Sequence, residues 1–135
     1  MSDPPPHLFE KAVSGGGEAR RLGLWGEAVV AEELQRKGWT VVEKNFRSRM
    51  GELDIIAEDG RFLIFVEVKL RKNDHFGAAC EAVTPSKQRK LRAAAQFYLM
   101  SHPTALQPRF DVAEVYAPQG AQTAQPDIYY IENAF

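Results

Sequence analysis

Residues 51–69 read GELDIIAEDGRFLIFVEVK, and the fold turns on how that stretch pairs with itself. Two runs rich in β-branched and aromatic residues, Leu53–Ala57 and Phe62–Val68, flank Glu58-Asp59-Gly60-Arg61. Asp-Gly between such runs predicts a hairpin, because a type I′ turn needs two residues that tolerate positive φ. With Asp59 and Gly60 as the two loop residues, Glu58 pairs with Arg61, Asp54 lies opposite Phe65, and Glu52 lies opposite Glu67. Side chains alternate between faces along a strand, so Asp54, Phe65, Glu67 and Lys69 project from one face. Asp54 and Glu67 become diagonal neighbours, roughly 7–8 Å apart at the backbone.

Two carboxylates and a lysine thus converge among Ile, Leu, Phe and Val. Charges on an apolar sheet face lose hydration, and like charges there repel each other. A divalent cation between the carboxylates relieves both penalties, and Mg²⁺ is typically held by one or two carboxylates together with water and phosphate. The plainer reading is a register in which Glu67 and Lys69 point to solvent and pair weakly. Leu63 and Phe65 share their face, however, which favours a site.

Outward from the hairpin, residues 1–17 contain Pro4-Pro5-Pro6 and Gly15-Gly16-Gly17 and read as a flexible, disordered lead. Residues 18–135 form one domain, a length that suits a single core. Arg20–Lys37 reads as a helix ended by Gly38, with Glu27, Val30, Ala31 and Leu34 on one face. Glu27 lies along that apolar stripe; an early-turn Glu that favours the helix dipole is the alternative. Thr40–Phe46 is a first strand, and Ser48–Gly51 turns the chain into the hairpin. Arg47 and Arg49 at that turn are candidate phosphate contacts.

Residues 70–77 read as polar and turn-like. His75 there lacks the paired spacing of a zinc site. Thr84-Pro85 starts a second helix, with Thr as N-cap and Pro at the first helical position. It runs to about Met100, with Leu91, Ala94, Ala95, Tyr98 and Leu99 as its apolar stripe. Lys87, Arg89, Lys90 and Arg92 crowd its first half, against the macrodipole preference. Either they form a solvated face, or that end meets a polyanion together with Lys69, Arg71 and Lys72. Gln88 shares a face with Leu91 and Ala95 and so points inward. Arg109–Tyr116 and Ile128–Ile131 complete the strands. For Asp111, which interrupts an apolar run, a place behind the site and a strand-end cap are both open.

Composition removes several classes of function. No apolar run approaches the roughly 20 residues that span a bilayer, and the amino terminus shows no basic segment leading into an apolar one, so neither a membrane span nor a secretory signal is expected. The single cysteine, Cys80, fits a reducing cytoplasm and reads as a small buried hydrophobe. Seventeen basic residues nearly balance eighteen acidic ones, so overall charge gives no support to a nucleic-acid partner.

Ordered motifs carry a family resemblance: G-L-W-G-E at 23–27, K-N-F-R at 44–47, G-E-L-D at 51–54, F-V-E-V-K at 65–69, S-K-Q at 86–88 and R-F-D-V at 109–112. A helical Glu, then GE-x-D, then EVK resembles the PD-(D/E)xK nuclease superfamily. Within it the pattern is most similar to the YraN-like family, a relative of archaeal Holliday-junction resolvases. Patterning alone gives an α/β domain. The resemblance implies a restriction-endonuclease-like central mixed sheet flanked by helices, and metal-dependent hydrolysis of DNA phosphodiesters, with branched or structured DNA as a candidate substrate. It further implies that Asp54, Glu67, the Val68 carbonyl and Glu27 hold Mg²⁺ or Mn²⁺. Lys69 would act on the attacking water, and Lys87 and Gln88 fall where related nucleases place a polar helper. Arg47, Arg49, Arg71, Lys72, Lys87 and Lys90 would meet the nucleic acid, and related resolvases dimerise. A nuclease-like module that binds nucleic acid or a partner without cutting is the alternative, and a purely structural α/β protein the third.

Overall fold

Apolar runs of period two alternate with two amphipathic helical stretches, and each forms the element its pattern predicts. The computed structural model describes residues 14–72 and 83–135. Along the chain come helix α1 (Ser14–Arg36), strands β1 (Thr40–Ser48), β2 (Gly51–Glu58) and β3 (Phe62–Arg71), and helix α2 (Pro85–Ser101). Strand β4 (Gln107–Tyr116), a 3-10 turn at Gly120–Gln122 and strand β5 (Asp127–Ile131) follow. The expected element order is observed. So is the expected class, an α/β domain with a mixed sheet between helices.

The five strands lie in the order β1-β2-β3-β4-β5. β3 and β4 pair in parallel, and the other neighbours are antiparallel. A parallel pair needs a long crossover, and α2 lies within it. α1 covers one face, where Val30, Ala31 and Leu34 pack on Ile55, Ala57, Ile64, Val66, Ala113 and Val115. α2 covers the other, where Leu91, Ala94, Ala95 and Tyr98 pack on Leu53, Ile56, Leu63, Phe65, Phe110 and Val112.

Local chemistry explains the ends of these elements. Gly38 adopts φ 91°, and the Trp39 N–H donates to the Leu34 carbonyl at 3.0 Å, the six-to-one bond of a Schellman C-cap. Thr84 caps α2 through its hydroxyl, which accepts from the Lys87 N–H at 3.2 Å. α1 begins at Ser14, earlier than the expected Arg20, and takes in three glycines of the expected flexible lead. Once a helix is nucleated, each added residue gains a backbone bond, which offsets the roughly 1 kcal/mol that glycine costs at an end. Residues 1–13, and with them the rest of that lead, lie outside the described residues. So do His75 and Cys80. β3 runs on through Leu70 and Arg71, expected as turn, because both continue the ladder to Val115 and Tyr116.

The hairpin register is corrected. Glu58 pairs with Leu63, not Arg61, and Ile55 pairs with Val66, so the connection is longer than an Asp-Gly pair. Asp59 is responsible: its Oδ1 accepts from the Arg61 and Phe62 N–H groups at 2.9 and 2.8 Å, an Asx-type turn. Burial pushes the Asp59 carboxyl up, but those two N–H groups and Arg109 outweigh it and hold the group below its usual range.

Asp111 belongs to neither of its expected places. It is fully buried in the middle of β4, level with Val66 of β3, and accepts two N–H bonds from Arg109, both 2.9 Å. It also accepts the Tyr130 hydroxyl at 2.6 Å and the Asn133 N–H at 2.9 Å. Burial and the Asp111 charge together hold the Tyr130 hydroxyl firmly protonated. This network ties β5 and the C-terminal residues to β4. Replacing Asp111 with Ala leaves a buried guanidinium without its carboxylate, and is expected to cost about 3–5 kcal/mol. Urea unfolding of Asp111→Ala checks this; a loss below about 1 kcal/mol, the scale of an exposed pair, contradicts it.

Candidate active site

β2 and β3 bond to each other only as far as Ile55 and Val66. Beyond that step β2 continues with β1 down to Gly51, and β3 continues with β4 up to Arg71. The two strands therefore fork, and backbone groups along the fork lose their ladder partners. Asp54 stands in the fork. Its Oδ2 accepts the Val68 N–H at 2.9 Å, replacing a ladder bond with a side-chain one.

A change of face in β1 and β2 brings Asp54 there. Leu53 packs with its partner Phe46 on the α2 side, whereas Ile55, two residues on, packs on the α1 side. In a regular strand residues i and i+2 share a face. The switch falls at Asn45, which adopts φ 60°, a left-handed conformation that Asn tolerates better than most residues. The expectation that Asp54 projects from the same face as Phe65 and Glu67 is corrected accordingly: its carboxylate lies in the gap between the strands.

Glu27 and Glu67 approach that gap from opposite sides. Glu27 comes from α1 and stands within hydrogen-bonding reach of Asp54. The neighbouring Gly26 lets the helix come close, since a Cβ there would lie 3.2 Å from Leu70 Cδ2. Glu67 comes from β3 and is 7% exposed. Its Oε2 lies 3.7 Å from Lys69 Nζ and 3.4 Å from Lys87 Nζ. Burial, and then the charge of Glu67, push the Asp54 carboxyl up to about 8, although the Val68 N–H pulls the other way. Burial also raises Glu27, partly opposed by its hydrogen bond with Asp54. Three acidic groups thus crowd a place that suits one negative charge poorly.

Four of the five proposed catalytic residues, Glu27, Asp54, Glu67 and Lys69, come together. Gln88 turns aside: its amide nitrogen donates to the Val83 carbonyl at 3.0 Å, and Lys87 reaches Glu67 instead. Among the proposed nucleic-acid contacts, Arg47 pairs with Glu52 at 3.0 Å and Arg71 with the buried Glu114 at 2.6 Å. Arg49 lies over the Phe97 ring, and Lys72 and Lys90 are exposed. The Lys87–Glu67 contact was not foreseen, although a lysine in the first turn of a helix, where the dipole disfavours it, was the available signal. A groove of about 290 Å³ beside Glu27, lined by Arg20, Gly23, Leu24, Asn45, Arg47 and Glu52, adds Arg20 and Asn45 to the surroundings. A larger groove of about 560 Å³ lies on another side of α1, with Trp25, Glu33 and Ile128, and holds none of the candidate catalytic residues.

Among the described residues, no three Asp, Glu, His or Cys side chains are disposed to hold a metal ion as they stand. The set is a carboxylate pair with Glu27 beside it. Its oxygen donors, and the raised Asp54 carboxyl, fit a hard cation of the Mg²⁺ or Mn²⁺ kind, which completes its shell with water and phosphate and needs no protein cage.

A sequence model described as Uncharacterised protein family UPF0102 matches residues 26–115, a span that contains Glu27, Asp54, Glu67, Lys69 and Lys87. A UPF0102 protein of Syntrophomonas wolfei is 43% identical over 117 residues, covering 86% of this chain and 98% of its own. One of Geotalea daltonii is 43% identical over 125 residues, 90% of this chain and 94% of its own. The YraN-like resemblance and these matches agree. Among the described residues no helix is long and apolar enough to cross a membrane.

The Asp54 shift has a thermodynamic consequence. A carboxyl whose folded pKa lies at about 8, above its usual 3.8, binds its proton more tightly in the folded state. Its contribution to stability is complete below pH 4 and is lost as pH rises through about 8. In EDTA, the melting temperature should fall between pH 5 and 9, on the order of a few kcal/mol in stability. Asn at position 54 keeps an oxygen for the Val68 N–H and carries no charge, so Asp54→Asn should flatten most of that fall. Differential scanning calorimetry of both proteins across this range checks it, and parallel pH profiles would count against the crowded-carboxylate geometry.

Proposed function

The chain belongs to the uncharacterised protein family UPF0102, and we propose that it is a metal-dependent nuclease that hydrolyses DNA phosphodiester bonds, with branched or structured DNA as the substrate class. One observation carries this reading: a carboxyl group fixed in the fork of two strands, between two further carboxylates, with two lysine ammonium groups at the same place. A purely structural role accounts poorly for it, because buried like charges destabilise a fold unless something offsets them.

Asp54 and Glu67 would hold the cation, with the Val68 carbonyl as a further oxygen donor and Glu27 acting directly or through water. The bound ion would supply Lewis-acid polarisation of the phosphoryl oxygen and a lower pKa for attacking water. Lys69 lies beside Glu67 on the same strand, its Nζ 3.7 Å from the carboxylate. From there it would orient the water and stabilise the negative charge that grows on the phosphoryl oxygens. Glu27, on the far side of Asp54, fits the part of a proton acceptor from that water, since its raised pKa makes it a better base than an ordinary carboxylate. Lys90 and Lys72, exposed at the ends of the elements that frame the site, would hold the backbone of the nucleic acid by charge without reading sequence.

Cleavage of linear, nicked, flapped and four-way DNA with Mg²⁺ or Mn²⁺ tests the reading, with wild type and Asp54→Ala purified side by side. Cutting by wild type should exceed that by Asp54→Ala by at least about a hundredfold, the scale of losing an essential electrostatic group. Equal traces of cutting in both would mark a contaminant. Salt-sensitive DNA binding without cutting would instead support a non-catalytic nucleic-acid-binding module.

A further inference from the structure

Two ammonium groups share one oxygen of Glu67, and they are held there differently. Lys69 is two residues from Glu67 on the same strand and face, and its side chain is 27% exposed. Its ammonium reaches Glu67 along its own strand at 3.7 Å. Lys87 arrives from α2, lies closer at 3.4 Å, and its side chain is 43% exposed. Its backbone is fixed: the Lys87 N–H donates to the Thr84 hydroxyl, and the Gln88 N–H donates to the Thr84 carbonyl at 2.8 Å. The Gln88 side chain is tied to the Val83 carbonyl and cannot take its neighbour's place. Only the four-carbon arm of Lys87 is free to swing between Glu67 and solvent.

The position of Lys87 is also electrostatically poor without an anion. It lies in the first turn of α2, which contains no acidic residue, where exposed N–H groups and the helix dipole repel a cation. Glu67 supplies the compensating charge across the gap. A phosphate at the same helix end would do so equally well, since the helix dipole there favours an anion.

We propose that Lys87 is an exchangeable counter-ion: it neutralises Glu67 in the metal-free protein, yields that carboxylate to a divalent cation, and then receives a phosphate group of the nucleic acid. The inference rests on the metal-dependent reading above. It follows from competition for Glu67 Oε2, since a divalent ion there repels both lysines and Lys87, the more exposed of the two, has the more open route into solvent. Metal and nucleic acid then assist each other's binding, because each removes a cost that the other would meet alone. Lys87 is in this sense a positioning residue whose charge is lent to two partners in turn.

The test is Mn²⁺ binding by titration calorimetry without nucleic acid, for wild type, Lys87→Met, Lys87→Arg and Asp54→Ala, each first shown to be folded by circular dichroism. Losing a competitor of part-exposed strength should make Mn²⁺ bind Lys87→Met about twofold to fivefold more tightly than wild type. Lys87→Arg, which keeps the competing charge, should stay close to wild type. Binding of a hydrolysis-resistant phosphorothioate duplex, followed by anisotropy with Mn²⁺, should show a salt slope lower by about one for Lys87→Met. Unchanged or weaker Mn²⁺ binding by Lys87→Met, with wild type binding normally, overturns the counter-ion role and leaves the metal reading intact. Equal binding by wild type and Asp54→Ala overturns the metal reading itself, and the counter-ion role with it.

Discussion

Strands β2 and β3 cease to bond to each other after Ile55 and Val66, and the arrangement of the candidate site depends on how that fork is filled. Each strand keeps its outer neighbour, so the sheet stays whole while a gap opens inside it. A backbone N–H in such a gap must find an acceptor, since an unpaired buried donor costs about 1–3 kcal/mol. Asp54 provides one for Val68. The solution brings a second cost with it, because the acceptor is an ionisable group that burial and Glu67 both discourage from ionising. An amide in its place would serve the backbone as well and carry no charge. The residue is therefore better explained by what a carboxylate can do than by what the fold requires.

On the other side of β3, around Asp111 of β4, the same side-chain types stand in a settled state. Asp111 is as buried as any residue in the protein, yet two guanidinium N–H groups, a hydroxyl and a backbone N–H surround it. Arg109 extends the network toward Asp59 and Glu132 at 3.9 Å, and its guanidinium lies over the rings of Trp39 and Phe62. Each charge there has an opposite partner, and the network closes the hairpin loop and anchors the last strand. At the fork the carboxyl groups of Glu27, Asp54 and Glu67 lie together, and the neighbouring carboxylates oppose ionisation of Asp54. The Asp111 network uses buried charge to fix the fold, whereas the fork holds like charges close together, as functional sites commonly do.

The sequence was most legible where local chemistry decides structure. Caps at Gly38 and Thr84, the two amphipathic helices, the apolar runs and the nearness of Asp54, Glu67 and Lys69 follow from period and residue type, whereas the place of Glu27 beside them came from the family resemblance. The hairpin register was not legible, because Asp-Gly predicts a two-residue turn and the Asp59 side chain enforces a longer one. That error set Asp54 against Phe65, two residues short of Glu67 along β3, and a step of two keeps the parity of the strand. The change of face at Asn45 was beyond reach, because one left-handed residue inside a strand breaks the alternation on which the reading relies. Gln88 was misplaced for a related reason: helical periodicity gives a direction, but the carbonyl it satisfies, that of Val83, belongs to the preceding turn.

Net charge was the least informative quantity, and the ion pairs explain why. Arg36 is occupied with Glu33, Arg47 with Glu52, Arg71 with Glu114 and Arg109 with Asp111. These pairs cancel in the field at a distance as they cancel in the sum. What remains near the fork is a local imbalance in which Lys69 and Lys87 face Glu67, while Lys90 is exposed on the same helix as Lys87. A charged ligand within a Debye length of about 8–10 Å responds to that local arrangement and is screened from the rest of the surface. A formal charge of −1 is thus compatible with an anion-binding end, and one small sheet holds both the rigid Asp111 anchor and the crowded carboxyl groups of the fork.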